Sequence, residues 1–230
     1  MDLGKLIEVR RRIASAVRRA GREPSDVTLV VVSKGRSDAE VQQLYDGGHR
    51  LFAENRAEAL LSRLDGPLPV DITWHFVGSV QRRKVKLIAP SVELVHSMDR
   101  ARLEGVWGQL SDPPPVLLQV NIAAETQKHG YPRAEVVEAA QRLVDLGVEV
   151  RGLMILPPAP EVAEDSRPWF TELASIGAEL RLRHPDAVEL SMGMSDDFEV
   201  AIECGATMVR LGRAIFGTGE PDSGARRVEE

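Results

Sequence analysis

The chain has one cysteine, Cys204, so an internal disulfide and a cysteine-based metal cluster are both excluded, and the composition fits a reducing compartment. Aromatic residues make up only 4%, too few for the stacking platforms that hold single-stranded nucleic acid. Positive charge is not in excess: 29 Lys and Arg stand against 35 Asp and Glu, for a net charge of −6, which argues against nucleic acid as a partner. Long apolar runs are missing too. The best of them, Val27 to Val32, is far too short to cross a bilayer, and Met1-Asp2-Leu3-Gly4-Lys5 meets charge before any apolar stretch, so no membrane span and no secretory signal is expected. What is present is 230 residues, 43% of them apolar, enough for one sizeable core. The expectation is a cytoplasmic globular protein with a single domain over residues 1–220 and a disordered tail over 221–230.

Helical and strand-like segments alternate along this chain. Leu6, Val9, Ile13, Val17 and Ala20 recur at spacings of three and four, which predicts an amphipathic N-terminal helix. Val27 to Val32 is β-branched and reads as a buried parallel strand. Further strands are expected at Arg50–Ala53, Thr73–Val77, Val92–His96, Val116–Ile122, Val148–Met154, Ala187–Leu190 and Thr207–Arg210, each followed by a helix or helical turn. Ser37-Asp38-Ala39-Glu40 is a capping box opening one of those helices. Eight strand–helix units at this length predict a single (β/α)8 TIM barrel with an extra N-terminal helix; a doubly wound open sheet is the alternative.

In such a barrel, chemistry sits at the carboxyl ends of the strands. Lys34 ends the first strand. Asn55 follows the second, His75 lies on the third, Asn121 lies late on the fifth and Met154 ends the sixth; Ser191-Met192-Gly193-Met194-Ser195 closes the seventh and Arg210-Leu211-Gly212-Arg213 the eighth. An ammonium at a barrel mouth is costly to desolvate, and a neutral amine there can attack an aldehyde to form a Schiff base; otherwise Lys34 simply reaches past the strand end into water. Ser191, Gly193 and Ser195 precede one short helix, and Gly212 and Arg213 precede another. Barrels often bind phosphate between these two loops, so an anion facing Lys34 is favoured over a mere helix cap and turn. His75, His96 and His129 lack metal-ligand spacing, and His75 reads as a hydrogen-bonded core histidine. The arginines of the first helix, Arg10, Arg11, Arg12, Arg18, Arg19 and Arg22, read as a solvated face.

Several ordered stretches resemble the pyridoxal phosphate homeostasis proteins (YggS/PROSC-like). They are Leu190-Ser191-Met192-Gly193-Met194-Ser195-Asp196-Asp197-Phe198, Thr207 to Gly217, Val32-Ser33-Lys34, Glu54-Asn55-Arg56, Trp74-His75-Phe76-Val77-Gly78, Val95-His96-Ser97-Met98-Asp99, Gln127-Lys128-His129-Gly130 and Gly152-Leu153-Met154. The resemblance implies a barrel like the N-terminal domain of alanine racemase, of fold type III, holding pyridoxal 5′-phosphate as a Schiff base on Lys34. It also implies that Ser191 and Ser195, with the backbone N–H groups of Gly212 and Arg213, hold the phosphate. Arg210 would face the pyridine nitrogen, and Asn55 and Met154 would flank the ring. Ala53, Gly35-Arg36-Ser37, Ser79 to Lys84 and Ile155 depart from the usual pattern, which bears on loop contacts rather than on the lysine.

Arginine donates only, so Arg210 would leave the pyridine nitrogen unprotonated and the electron sink weak. Two-base racemization needs a second acid–base group, and neither tyrosine, Tyr45 in a surface helix or Tyr131 in a loop, is placed to serve. The expectation is therefore a pyridoxal phosphate carrier without turnover that serves pyridoxal-dependent apoenzymes and binds neither nucleic acid nor membrane. An amino-acid racemase is one alternative, and a cofactor-free Schiff-base lyase acting on a phosphorylated sugar is another.

Overall fold

In a computed structural model, which describes residues 3–122 and 129–218, eight parallel strands close into a barrel in sequence order. The strands are β1 (Thr28–Val32), β2 (Leu51–Glu54), β3 (Thr73–Phe76), β4 (Leu94–Met98), β5 (Val116–Val120), β6 (Val150–Ile155), β7 (Glu189–Ser191) and β8 (Met208–Leu211). β8 pairs with β1, Val30 lying opposite Arg210, which closes the ring. Nine α-helices are described: α1 (Leu3–Arg19), α2 (Asp38–Asp46), α3 (Ala57–Leu64), α4 (Val85–Ile88), α5 (Ala101–Trp107), α6 (Val136–Asp145), α7 (Arg167–Arg181), α8 (Phe198–Glu203) and α9 (Arg213–Phe216). The predicted barrel with an extra N-terminal helix is the observed architecture. The tail predicted to be disordered, 221–230, lies outside the described residues, as does Gln127-Lys128.

Alternation along the strands sorts the side chains into two layers. Val31, Phe52, Val95, Leu118 and Leu153 pack outward against the helices in one large core. Val30, Ala53, Leu94, Leu117, Met154 and Met208 fill the barrel interior. Two residues beyond several of these, on the same inward face, the chain turns polar: His96 follows Leu94, Gln119 follows Leu117 and Arg210 follows Met208. The barrel is thus apolar through its middle and polar towards its carboxyl end.

Predicted boundaries shift in places. The fourth strand runs Leu94–Met98 rather than from Val92, because a register irregularity carries Met98 against Leu118. The basic stretch after β3 forms a 3-10 turn, Arg82–Lys84, ahead of the four-residue α4, not one helix. The arginines of the N-terminal segment, from α1 to Arg22 just beyond it, are not all a solvated face. Arg12 grips Glu199 of α8 in a two-pronged ion pair at 2.7 and 2.8 Å, Arg19 pairs with Glu203 at 3.0 Å, and Arg22 donates to the carbonyls of Ile202 and Ala206. The stripe Leu6, Val9, Ile13, Val17 is buried as the spacing predicts.

Candidate functional site

At the carboxyl end of the barrel, a cavity of about 390 Å³ is lined by Lys34, Asn55, Ser195, Arg210, Gly212 and Arg213, together with Val77, Gly78, Gln119 and His129. Six of the eight predicted site residues therefore meet in one mouth. Its volume falls within the range of about 300–1,000 Å³ usual for small-molecule sites.

Lys34 occupies the second position of a tight turn closed by a hydrogen bond from Arg36 N–H to Ser33 C=O at 3.0 Å, with Gly35 at φ +68° in the third. Positive φ at that position is the mark of a type II turn and suits glycine. The turn is anchored from below. The Ser33 hydroxyl donates to Glu54 at 2.8 Å, Arg63 of α3 donates to the same carboxylate oxygen at 3.3 Å, and Arg63 also donates to the Ser33 and Arg36 carbonyls and pairs with Asp38. Glu54 is fully buried and Arg63 almost so, whereas Lys34 itself is exposed at the rim. Of the two readings its position allows, desolvation in the mouth or reach into water, Lys34 follows the second while still lining the cavity. The pairing of Glu54 with Arg63 joins β2 to α3 and has no local signature in the sequence.

The turns after β7 and β8 are tied together. Ala214 N–H donates to Ser195 Oγ at 3.0 Å, and Arg213 pairs with Asp196. Asp197 is buried, accepting from Met194 N–H at 2.7 Å and from Ser166 Oγ at 2.7 Å, and so braces the Ser195 turn. At Gly212 a Cβ would meet the Val32 carbonyl at 3.1 Å, so the β8 turn approaches β1 and its lysine more closely than most side chains would permit.

Two predicted residues lie elsewhere. Met154 is fully buried in the barrel interior and is not among the residues lining the cavity. Ser191 is also buried, and its hydroxyl is taken up by Arg210, which donates to it at 2.7 Å, and by His96 Nδ1 at 2.7 Å. His96 Nε2 and His75 Nδ1 are 2.9 Å apart, so one hydrogen-bonded line runs from Arg210 through Ser191 and His96 to His75. His75 is the core histidine the sequence predicts. Arg210 further donates to the carbonyls of Ser191 and Ile155, and burial draws its pKa down to about 10, leaving it cationic at neutral pH. Several of its five donors are thus spent on positioning it under the cavity.

Burial also keeps both histidines neutral: His75 is drawn down to about 4 and His96 well below its usual range. The unfolded chain takes up these protons more readily, so their contribution to stability is intact above about pH 6.5 and drains away as the pH falls towards 4. For His75 alone a shift of this size corresponds to about 3 kcal/mol. Thermal melts between pH 7 and 4.5 are expected to show the midpoint falling more steeply for the wild type than for His75→Gln; equal slopes would remove His75 from the account.

The tyrosines offer no acid–base group at the mouth. The Tyr131 hydroxyl is buried and donates to Glu104 at 2.7 Å, with its pKa raised first by burial, and Tyr45 donates to Asp71 at 2.6 Å beside α2. Among the described residues no group of three or more His, Cys, Asp and Glu could hold a metal, and no helix is long and apolar enough to cross a membrane.

Comparison with known proteins agrees with this geometry. The family model "Alanine racemase, N-terminal domain" matches residues 5–220. A pyridoxal phosphate homeostasis protein of Aquifex aeolicus is 37% identical, with 93% of this chain and 96% of that one covered; one of Escherichia coli K12 is also 37% identical, over 92% and 94%. The structure of PipY from Synechococcus elongatus PCC7942 with PLP bound superposes with a TM-score of 0.75 at 32% identity, covering 89% of this chain and all of that one. A lysine/ornithine decarboxylase of Vibrio vulnificus, at 13% identity and a TM-score of 0.67 over 90% of this chain and 62% of its own, shares the fold. The chain belongs to the pyridoxal phosphate homeostasis proteins, whose single barrel is of the alanine racemase N-terminal domain type.

Proposed function

We propose that the protein binds pyridoxal 5′-phosphate and serves its intracellular homeostasis in the cytoplasm, holding the cofactor for pyridoxal-dependent apoenzymes. The observation that carries this reading is the gathering of Lys34, the Ser195 and Gly212–Arg213 turns, and the buried Arg210 around one cavity. When bound, the cofactor supplies an electrophilic aldehyde and a ring that can act as an electron sink. Lys34 would hold the aldehyde carbon through Nζ, as a Schiff base formed with loss of water. Ser195 and the backbone N–H groups of Gly212 and Arg213 would hold the phosphate, and Ser191, its hydroxyl engaged by Arg210 and His96, would orient Arg210. Arg210 would face the ring nitrogen as a donor that keeps its proton. Asn55 flanks the ring, and Met154 packs in the barrel interior.

Carriage without turnover is the reading favoured by this set of residues. A donor-only partner weakens the electron sink, both tyrosines are engaged elsewhere, and the lysine sits at an exposed rim. The test is a visible spectrum of the purified protein with added pyridoxal phosphate, before and after borohydride, followed by peptide mapping. The expected result is a band bleached by reduction and one phosphopyridoxyl group, on Lys34. A protein that gains no such band, or that carries the group elsewhere, overturns the reading. Steady exchange of amino-acid α-protons in deuterated water by the loaded protein would assign a racemase instead.

A further inference from the structure

We propose that the cofactor cavity has a second lobe that receives the apolar side chain of a primary amine joined to the cofactor, so that the protein also binds pyridoxal phosphate–amine conjugates and favours apolar amines. The proposal rests on the cofactor reading above. Beside the main cavity lies another of about 240 Å³, and Gln119, His129 and Leu156 line both. Its remaining walls are Val120, Asn121, Ile122, Ile155, Pro157, Pro158 and Trp169. The described lining carries no carboxylate, lysine or arginine. A cavity of about 150 Å³ with an apolar lining already takes up benzene, so there is room here for a benzyl-sized group.

The position of the lobe matters as much as its lining. Lys34 enters the main cavity from β1, the Ser195 and Gly212 turns enter from β7 and β8, and Asn55, Val77 and Gly78 enter from β2 and β3. The second lobe lies at the ends of β5 and β6, across the ring from β1. A primary amine that displaces Lys34 forms the new carbon–nitrogen double bond as the bond to Lys34 Nζ breaks, and its two N–H protons pass to the lysine. Lys34 leaves as a neutral amine and no oxidant or reductant is needed. The side chain of the newcomer is then placed on the side of the cavity that opens into apolar space, where burial of a large apolar group is favourable.

The test uses apoprotein and calorimetry with borohydride-reduced conjugates, which need no bond to Lys34: phosphopyridoxyl-glycine, phosphopyridoxyl-phenylalanine and phosphopyridoxyl-aspartate. The phenylalanine conjugate is expected to bind about tenfold or more tightly than the glycine conjugate, and the aspartate conjugate no more tightly than glycine. Trp169→Ala is expected to cut the phenylalanine advantage to about threefold or less. Leu156→Asp, at a residue 39% exposed and so safe for folding, is expected to do the same. Equal affinities for the glycine and phenylalanine conjugates, or an advantage unchanged in both variants, would overturn the second lobe while leaving the cofactor reading intact. Failure of all three conjugates and of pyridoxal phosphate itself to bind would overturn both.

Discussion

Lys34→Ala is expected to abolish the borohydride-fixable adduct while leaving the barrel folded. The side chain is exposed, so the change in unfolding free energy should stay within about 0.5 kcal/mol. The turn that carries it is held by backbone and by Ser33, Glu54 and Arg63, none of which depends on the lysine side chain. The phosphate turns and Arg210 also remain, so the variant should bind pyridoxal phosphate reversibly, with the spectrum of the free aldehyde. Absorption spectroscopy before and after reduction, mass spectrometry of the reduced protein and a thermal melt check the three parts. Undiminished covalent loading in the variant would place the anchor on another amine.

Gly152→Ala is expected to cost about 4 kcal/mol or more, a large share of the 5–15 kcal/mol typical of a domain. Gly152 sits in β6 at φ +151°, a conformation that L side chains rarely adopt. A Cβ there would lie 2.0 Å from the Glu189 carbonyl oxygen and 2.7 Å from its carbonyl carbon and its nitrogen, all backbone of the neighbouring β7. No flexible side chain can give way, so the β6–β7 seam itself must open. Equilibrium urea unfolding should show a lower midpoint at an unchanged slope. A loss below about 1 kcal/mol would mean that the seam has slack and that Gly152 is there for another reason.

The architecture was legible because each β-branched run and each amphipathic stretch reports its own burial locally. Strand ends were less so: the fourth strand depends on a register shift between β4 and β5, which is a property of the pair. The site divides in the same way. Lys34, Asn55, Ser195, Arg210, Gly212 and Arg213 follow from their places at strand ends. Ser191 and Met154 sit just as near strand ends, yet they face each other in register inside the closed barrel, and which way a terminal residue turns is decided by that closure. The Glu54–Arg63 anchor has no local signature, since it joins a strand to the next helix, and of the histidine line only His75's place in the core is legible, because its partners His96 and Ser191 come from other strands.

The ties between α1 and α8 bear on how the chain is made. Arg12 and Glu199 are 187 positions apart, and Arg12 also stacks on the Phe198 ring at 4.7 Å. The ribosome therefore delivers α1 long before the surface that covers its stripe of Leu6, Val9, Ile13 and Val17. Until α8 and α9 are made, that greasy strip lacks a large part of its native cover, and a late, long-distance zip-up of this kind is slow and exposed to aggregation. In the nascent chain Arg12 and Arg19 are still unpaired and keep the helix charged beside that strip until Glu199 and Glu203 arrive.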